Sequence, residues 1–253
     1  MDLDRLLSAP IAHRGLHSDS PEVPENSLLA FARAAEEGFL IELDVQSSLD
    51  GEAVVFHDWD LQRVCGRPEL VHKVPASELL SLPLFGSSEC MPTLAQVFAL
   101  VAGRVPLLIE VTNKGHVGAL ETKIAAMIAD YGGPVSVQSF NPRVVKWFRI
   151  HTPHLIRGQL SRNYAAFQMP WWRKYLRRNL WYNHLSRPHY IGYEVGSLPN
   201  RRVASLRRRG LPVLGWTVKD AAGLELAAAH CDNVFFESLP LDTIRKFHAR
   251  TKT

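Results

Sequence analysis

The stretch FLIELDVQSSLDGEAVVFHD (39–58) carries two extended runs and the turn between them. In FLIELDV (39–45), Glu42 and Asp44 stand two residues apart, a spacing that on a strand points both side chains to one face. Asp50-Gly51 is a strong hairpin-turn dipeptide, because both residues tolerate positive φ. The returning strand is then VVFH (54–57), and a regular hairpin brings His57 back beside Leu43 and Asp44. A histidine is thereby expected next to a pair of carboxylates.

Outward from this stretch, short β-branched or Leu-rich runs recur: IAHRG (11–15), PLLIEV (106–111), VSVQSF (135–140), LIRGQL (155–160), YIGYEV (190–195), PVLGWTV (212–218) and NVFFES (233–238). Between most of them lie segments with apolar residues at helical spacing, at 27–38, 93–103, 120–133, 141–153 and 220–230. Gly38 is placed to end the first and Asp220 to cap the last. Strand–helix alternation implies a parallel sheet, and eight such units in 253 residues fit an α/β chain closed into a (β/α)₈ barrel. The hairpin breaks the alternation. Residues 46–92, irregular and rich in Pro, Gly and Ser after the hairpin, read as an insertion on the barrel's top face within one domain spanning 1–253.

Composition narrows the class. Hydrophobic residues make up 46%, enough for a sizeable core, and the 21% charged residues argue against disorder. No apolar run approaches the roughly 20 residues of a bilayer span. The start, MDLDRLLSAPIAHRG, lacks the basic-then-apolar pattern of a secretory signal, so a cytoplasmic protein is expected. Cys65, Cys90 and Cys231 form no CxxC pair and read as reduced thiols. A net charge of +4 suits an anionic substrate or a membrane surface, and no nucleic-acid-binding module is visible.

Active sites of β/α barrels lie at the C-terminal ends of the strands. There the chain carries His13-Arg14-Gly15, Glu42 and Asp44, Glu110, Gln138-Ser139, Gln159, Glu194, Trp216 with Lys219, and Glu237. Glu42, Asp44 and Glu110, with no Cys or His cluster, suit a hard cation, Mg²⁺ or Ca²⁺; the other reading is a carboxylate set paired with Arg14 and lysines. His13 and His57 stand within a few residues of these carboxylates and suit proton transfer in both directions. Arg14 has the planar fork that grips a phosphate.

Taken in order, these pieces resemble the glycerophosphodiester phosphodiesterase family. The pattern runs through His13-Arg14-Gly15, Pro24-Glu25-Asn26-Ser27, Glu42-Leu43-Asp44, Asp50-Gly51 and His57-Asp58, then MPTLAQVF (91–98), LLIEV (107–111), SFN (139–141) and GWTV (215–218). It covers residues 11 to about 240 and is weakest over 160–190. The resemblance implies a TIM barrel that cleaves a glycerophosphodiester into glycerol 3-phosphate and an alcohol. It implies one divalent cation on Glu42, Asp44 and Glu110, acid–base work by His13 and His57, and phosphate or substrate contacts by Arg14, Trp216 and Lys219. Glu25 and Asn26 are implied around the metal and phosphate. Three departures stand out: Thr112 where the family carries lysine, Lys219 where it carries Asn, and FESLP (236–240) where it carries Thr-Asp or Thr-Asn before Pro. Lys114, Arg157 or Lys219 are candidates for the missing positive charge. A lysophospholipase D-like enzyme and a catalytically inactive lipid-binding barrel are the alternatives.

Residues 161–189 stand apart. They hold three tryptophans and six Lys or Arg, with no Asp or Glu. WRKYLRRNLWYNHL (172–185) is expected to form one basic amphipathic helix, either packed on the barrel with arginines in solvent or in peripheral contact with an anionic membrane.

Overall fold

The computed structural model describes residues 2–18, 20–113 and 115–251. Among the described residues, nine strands form one sheet: β1 (Ile11–Ala12), β2 (Leu40–Ser47), β3 (Ala53–Val55), β4 (Leu107–Val111), β5 (Val135–Ser139), β6 (Ile156–Ser161), β7 (Tyr190–Glu194), β8 (Val213–Val218) and β9 (Asn233–Phe236). All but β3 run parallel, and β1 pairs with both β2 and β9, closing an eight-stranded barrel with helices between strands. This is the (β/α)₈ TIM barrel expected from the alternation. The helices begin where the sequence supplies caps: Ser27 for Leu28–Glu36, a Thr93/Gln96 capping box for Leu94–Val101, Asn141 with Pro142 for Pro142–His151, and Asp220 for Ala221–His230.

Strand alternation separates two cores. Ile41, Leu43, Val45, Leu107, Ile109 and Val111 face outward into the layer shared with the helices. Leu40, Leu108, Tyr190, Leu214, Ile11 and Phe235 fill the barrel interior, and Leu6 of the N-terminal helix Leu3–Leu6 joins them. Two residues further along β2 and one inward step along β4, that interior turns from apolar to acidic at Glu42, Asp44 and Glu110. The register sets Asp44 directly opposite Glu110.

The first strand is shorter than expected. After Ala12 the chain turns sharply, with Arg14 at φ 57° and Gly15 at φ 80°. Gly15 is required there twice over. Its φ is positive, and a Cβ would sit 2.9 Å from Ala30 and from the Phe31 ring.

The hairpin forms in the expected register, but its returning strand is Ala53–Val55 and not 54–57, so His57 lies just past the strand's end. Val45 faces Val55, and Gly51 turns at φ 81°. Ala53 and Val55 face the outer core of the barrel, whereas Val54 and Phe56 face a small cluster with Leu61, Val64, Val71, Val74, Leu79, Leu84 and Met91. The run AVVF is continuously apolar because both faces of β3 are buried. Residues 59–92 therefore fold over a core of their own, through short turns such as Gln62–Cys65 and Ala76–Leu79.

The single helix expected over 172–185 is instead two, Trp171–Arg178 and Asn183–Ser186. The chain breaks at Leu180, which adopts φ 55° and is drawn into the outer core at 2% exposure. Burying that one leucine takes the chain out of helical geometry.

Candidate active site

Three carboxylates converge at the C-terminal mouth of the barrel. Glu42, Asp44 and Glu110 offer ligand oxygens that all lie within 4.8 Å of one another. Glu42 and Asp44 are each 1% exposed. Burial, then the charges of Asp44 and Glu110, push the Glu42 carboxyl well above its ordinary range. Burial and Asp44 raise Glu110 to about 8. Such a set is unfavourable with all members ionised unless a cation lies among them, and an all-oxygen donor set fits a hard divalent ion.

The loop from β1 orients this set. The Arg14 amide donates to Glu42 Oε2 at 3.0 Å, and its guanidinium reaches Glu25 Oε1 at 2.8 Å and Asp44 Oδ2 at 3.4 Å. Asn26, at φ 57°, donates from Nδ2 to Asp44 Oδ2 at 3.0 Å and accepts from the Asp44 amide at 3.3 Å. Asn is among the few residues that tolerate that backbone geometry. Ser27 then caps the next helix, accepting from Ala30 N while its hydroxyl donates to Pro24 O. Each residue of Pro24-Glu25-Asn26-Ser27 thus has a separate mechanical task.

Both histidines are held by carboxylates. His13 Nδ1 lies 2.8 Å from Glu237 Oε2, and its Nε2 lies 3.9 Å from Glu42 Oε2. Burial, then the Arg14 charge, lowers the His13 pKa well below its usual value. His57 Nδ1 lies 2.6 Å from Asp58 Oδ1. With Nδ1–H donating to the carboxylate in each case, Nε2 is the nitrogen left for chemistry. Arg63, from the insertion, fastens the second pair to the barrel loop: it donates to Asp58 Oδ2 at 2.7 Å and to Glu25 Oε1 at 2.6 Å. Burial alone would raise Glu25, but hydrogen bonds from Arg63 and the charges of Arg14 and Arg63 hold it down at about 2.

His13, Arg14, Glu42, Asp44, His57 and Glu110 line one cleft of about 540 Å³, with Trp216 and Lys219 on its wall. A second chamber of about 1140 Å³ adjoins it, sharing His57, Glu110, Phe140 and Arg162. A profile of the Glycerophosphoryl diester phosphodiesterase family matches residues 13–244. This chain belongs to that family. A glycerophosphodiester phosphodiesterase of Caldanaerobacter subterraneus subsp. tengcongensis is 31% identical over 227 residues, covering 85% of this chain and 87% of its own. Two solved structures share the fold. One is an Oleispira antarctica phosphodiesterase in complex with the product sn-glycerol-3-phosphate (TM-score 0.71, 24% identity, 97% of each chain). The other is the glycerophosphodiester phosphodiesterase of Thermotoga maritima (TM-score 0.71, 22% identity, 96% of this chain and 98% of that one).

Membership makes this chain a phosphodiester hydrolase. Its departures from the family pattern acquire positions. Thr112, where the family carries lysine, donates toward Glu110 Oε1 at 3.4 Å. Of the candidates for the missing charge, Arg157 lies away from the cleft, buried and bonded to the carbonyls of Pro153 and Leu155. Lys114 lies outside the described residues. Lys219 borders the cleft but is ion-paired with Glu237. Arg162 does line the cleft, 2.7 Å from Glu194 Oε1 and 5.0 Å above the Trp216 ring.

In the sequence Glu237 stands as a strand end with no visible partner. Barrel closure supplies it: His13 N donates to Phe236 O at 3.0 Å, so the residue after β9 lands beside the residue after β1. Arg63 carried no signal at all, because it reaches the site from an insertion with no regular pattern.

The raised Glu110 pKa predicts how stability responds to pH. In the folded protein this carboxyl holds its proton up to about 8, against 4.5 ordinarily. The folded state therefore binds more protons than the unfolded state between those values. The share of stability that this carboxyl contributes is full below 4.5 and is lost as pH rises through about 8. The metal-free protein should melt at falling temperature across that window. Mg²⁺ or Ca²⁺ should raise Tm by about 5–10 °C, and by more at the alkaline end, where fewer protons compete. Thermal melts with and without chelator check this; an equal response at both ends contradicts it.

Among the described residues, no helix is long and apolar enough to cross a membrane.

Proposed function

We propose that this chain hydrolyses glycerophosphodiesters to glycerol 3-phosphate and an alcohol, with one divalent cation on Glu42, Asp44 and Glu110 and with His13 and His57 as the acid–base pair. One observation carries the reading: three converging carboxylates share a single cleft with two imidazoles, each of which has Nδ1 held by its own carboxylate. The product named in the Oleispira antarctica complex, sn-glycerol-3-phosphate, supports the substrate class.

A bound cation would neutralise phosphate oxygens and stabilise charge that grows in the transition state. The protein's own residues move the protons. One Nε2 accepts the proton of the glycerol hydroxyl next to phosphorus as that oxygen attacks, and the other imidazolium protonates the departing alcohol. Tethered attack carries a large effective molarity. Water then opens the cyclic phosphate with the histidine roles exchanged. Arg14 and Arg162 supply positive charge along the cleft, and Trp216 forms an apolar wall.

Hydrolysis of glycerophosphocholine by metal-stripped protein, with Mg²⁺, Ca²⁺ or neither restored, tests the reading. Metal-restored release of glycerol 3-phosphate is the expected result. Silence with every metal would overturn it.

Glu237 acts through His13 as a positioning residue. Glu237→Gln should lower kcat by about 10- to 100-fold. It should also move the limb of the pH–rate profile that reports His13 to lower pH, because a carboxylate beside an imidazole favours the imidazolium. Loss of rate with an unmoved profile would reduce Glu237 to packing.

The second chamber favours an additional reading. Phe140, Tyr164, Phe167, Met169 and Trp172 line it beside Arg143 and Arg177. An apolar wall next to a phosphodiester site fits the acyl chain of a lysophospholipid, and release of choline from lysophosphatidylcholine would show lysophospholipase D-like action. Cleavage of the water-soluble diester alone would exclude it.

A further inference from the structure

The helix Trp171–Arg178 is amphipathic, yet its aromatic side faces water. At 3.6 residues per turn, Trp171, Trp172, Tyr175 and Leu176 share one side, and Arg173, Lys174, Arg177 and Arg178 share the other. A helix packed on a barrel buries its apolar stripe. Here none of the eight residues is buried. Trp171 is 78% exposed and Tyr175 55%, while Arg173 and Arg177 line the second chamber. Lys174 Nζ is bonded to Ala165 O, and Trp181 N to Leu176 O, so the neighbouring turns are tied to this helix. Those turns add Phe167 and Trp181, 41% and 48% exposed. Scattered exposed apolar residues are ordinary; five large ones, counting Trp172, on one short segment are not.

We propose that this face docks on an anionic lipid bilayer. Trp and Tyr rings settle at the boundary between headgroups and acyl chains, with their polar atoms toward water. Lys174 and Arg178 flank Trp171 and Tyr175 on the helix; the long Arg178 side chain reaches back to lipid phosphates, and Lys174, held at Ala165 O, adds positive charge beside it. The charge argues for lipid over a second copy of this chain. Residues 161–189 contain six Lys or Arg and no Asp or Glu. An isologous contact would set this basic patch against itself, whereas an anionic bilayer is complementary to it. Because Trp172 and Arg173 belong both to the helix and to the chamber lining, docking holds the chamber at the membrane surface.

Co-sedimentation tests the docking without reference to catalysis. The probes are vesicles of phosphatidylcholine alone and vesicles of phosphatidylcholine mixed with phosphatidylglycerol. The full chain should pellet with the mixed vesicles at low salt, leave them at high salt, and ignore neutral ones. Trp171→Ala/Tyr175→Ala should weaken binding by about tenfold or more, and Lys174→Glu/Arg178→Glu should abolish it. None of these four residues lines the cleft or the chamber. Hydrolysis of a soluble diester therefore serves as the folding control and should be unchanged. Retention of the parent chain in the supernatant with mixed vesicles at low salt would overturn the proposal. So would equal pelleting of the aromatic variant, or conversion of a vesicle-free dimer to monomer by that variant. If soluble diester is not cleaved by any form while vesicle binding follows the expected pattern, the catalytic reading falls and the docking stands.

Discussion

His13→Asn and His57→Asn should each lose about 10²–10⁴-fold in kcat while melting within a few degrees of the parent. The expectation rests on geometry. Each imidazole uses Nδ1 for a carboxylate, Glu237 or Asp58, and keeps Nε2 for the cleft. Both side chains line the cleft. His13→Asn leaves Glu237 with Lys219 and with His17 at 3.5 Å, so the carboxylate keeps partners. Asp58 likewise keeps Arg63 when His57 is replaced. If the two imidazoles act as one relay, the double variant should fall little further than either single one. Steady-state kinetics with a soluble diester decides. Near-parental turnover in either variant would remove that histidine from the chemistry.

Glu42→Gln should cost more than about 10³-fold in metal-restored activity, yet raise the melting temperature of the metal-free protein by several degrees. The opposite signs share one cause. Glu42 is buried against Asp44 and Glu110, and its carboxyl is pushed well above the ordinary range by that burial and by their charges. The neutral amide removes the repulsion and keeps an oxygen to accept from the Arg14 amide. It also removes one of three anionic donors, so the rise in Tm on adding Mg²⁺ or Ca²⁺ should shrink or vanish. Calorimetry with and without chelator, run beside the activity assay, separates the effects. A variant that is less stable without metal would mean that Glu42 is a structural ion-pair partner, not a cation ligand. The trade belongs to sites whose strain is kept for function.

The barrel was legible because its strands and caps obey local rules. Glu42 and Asp44 share a face by strand periodicity, and Asp50-Gly51 fixed the hairpin register that returns His57. What escaped depends on closure or on burial at a distance. Glu237 meets His13 because β9 closes on β1, a pairing between chain ends with no local signal. Arg63 reaches Glu25 and Asp58 from a segment with no periodicity to place it. Leu180 overrode a good helical pattern because the outer core took its side chain. Arg157, a reasonable candidate for the charge that Thr112 lacks, lies at the entering end of β6, and Arg162, just past that strand's end, occupies the cleft.

The small cluster of Val54, Phe56, Leu61, Val64 and their neighbours has a consequence for how the enzyme fails. It is built separately from the barrel's two cores, and it carries one of the two histidines and Arg63. A unit of that size can open cooperatively at a free energy below that of the whole domain. On warming, His57 should then leave the cleft while the barrel, the carboxylates and His13 remain in place. Activity would fade reversibly some degrees before the helices melt, and amides of residues 59–92 would exchange with solvent ahead of those in the parallel strands. The insertion would thus serve as a thermal fuse, silencing the site before the barrel is at risk.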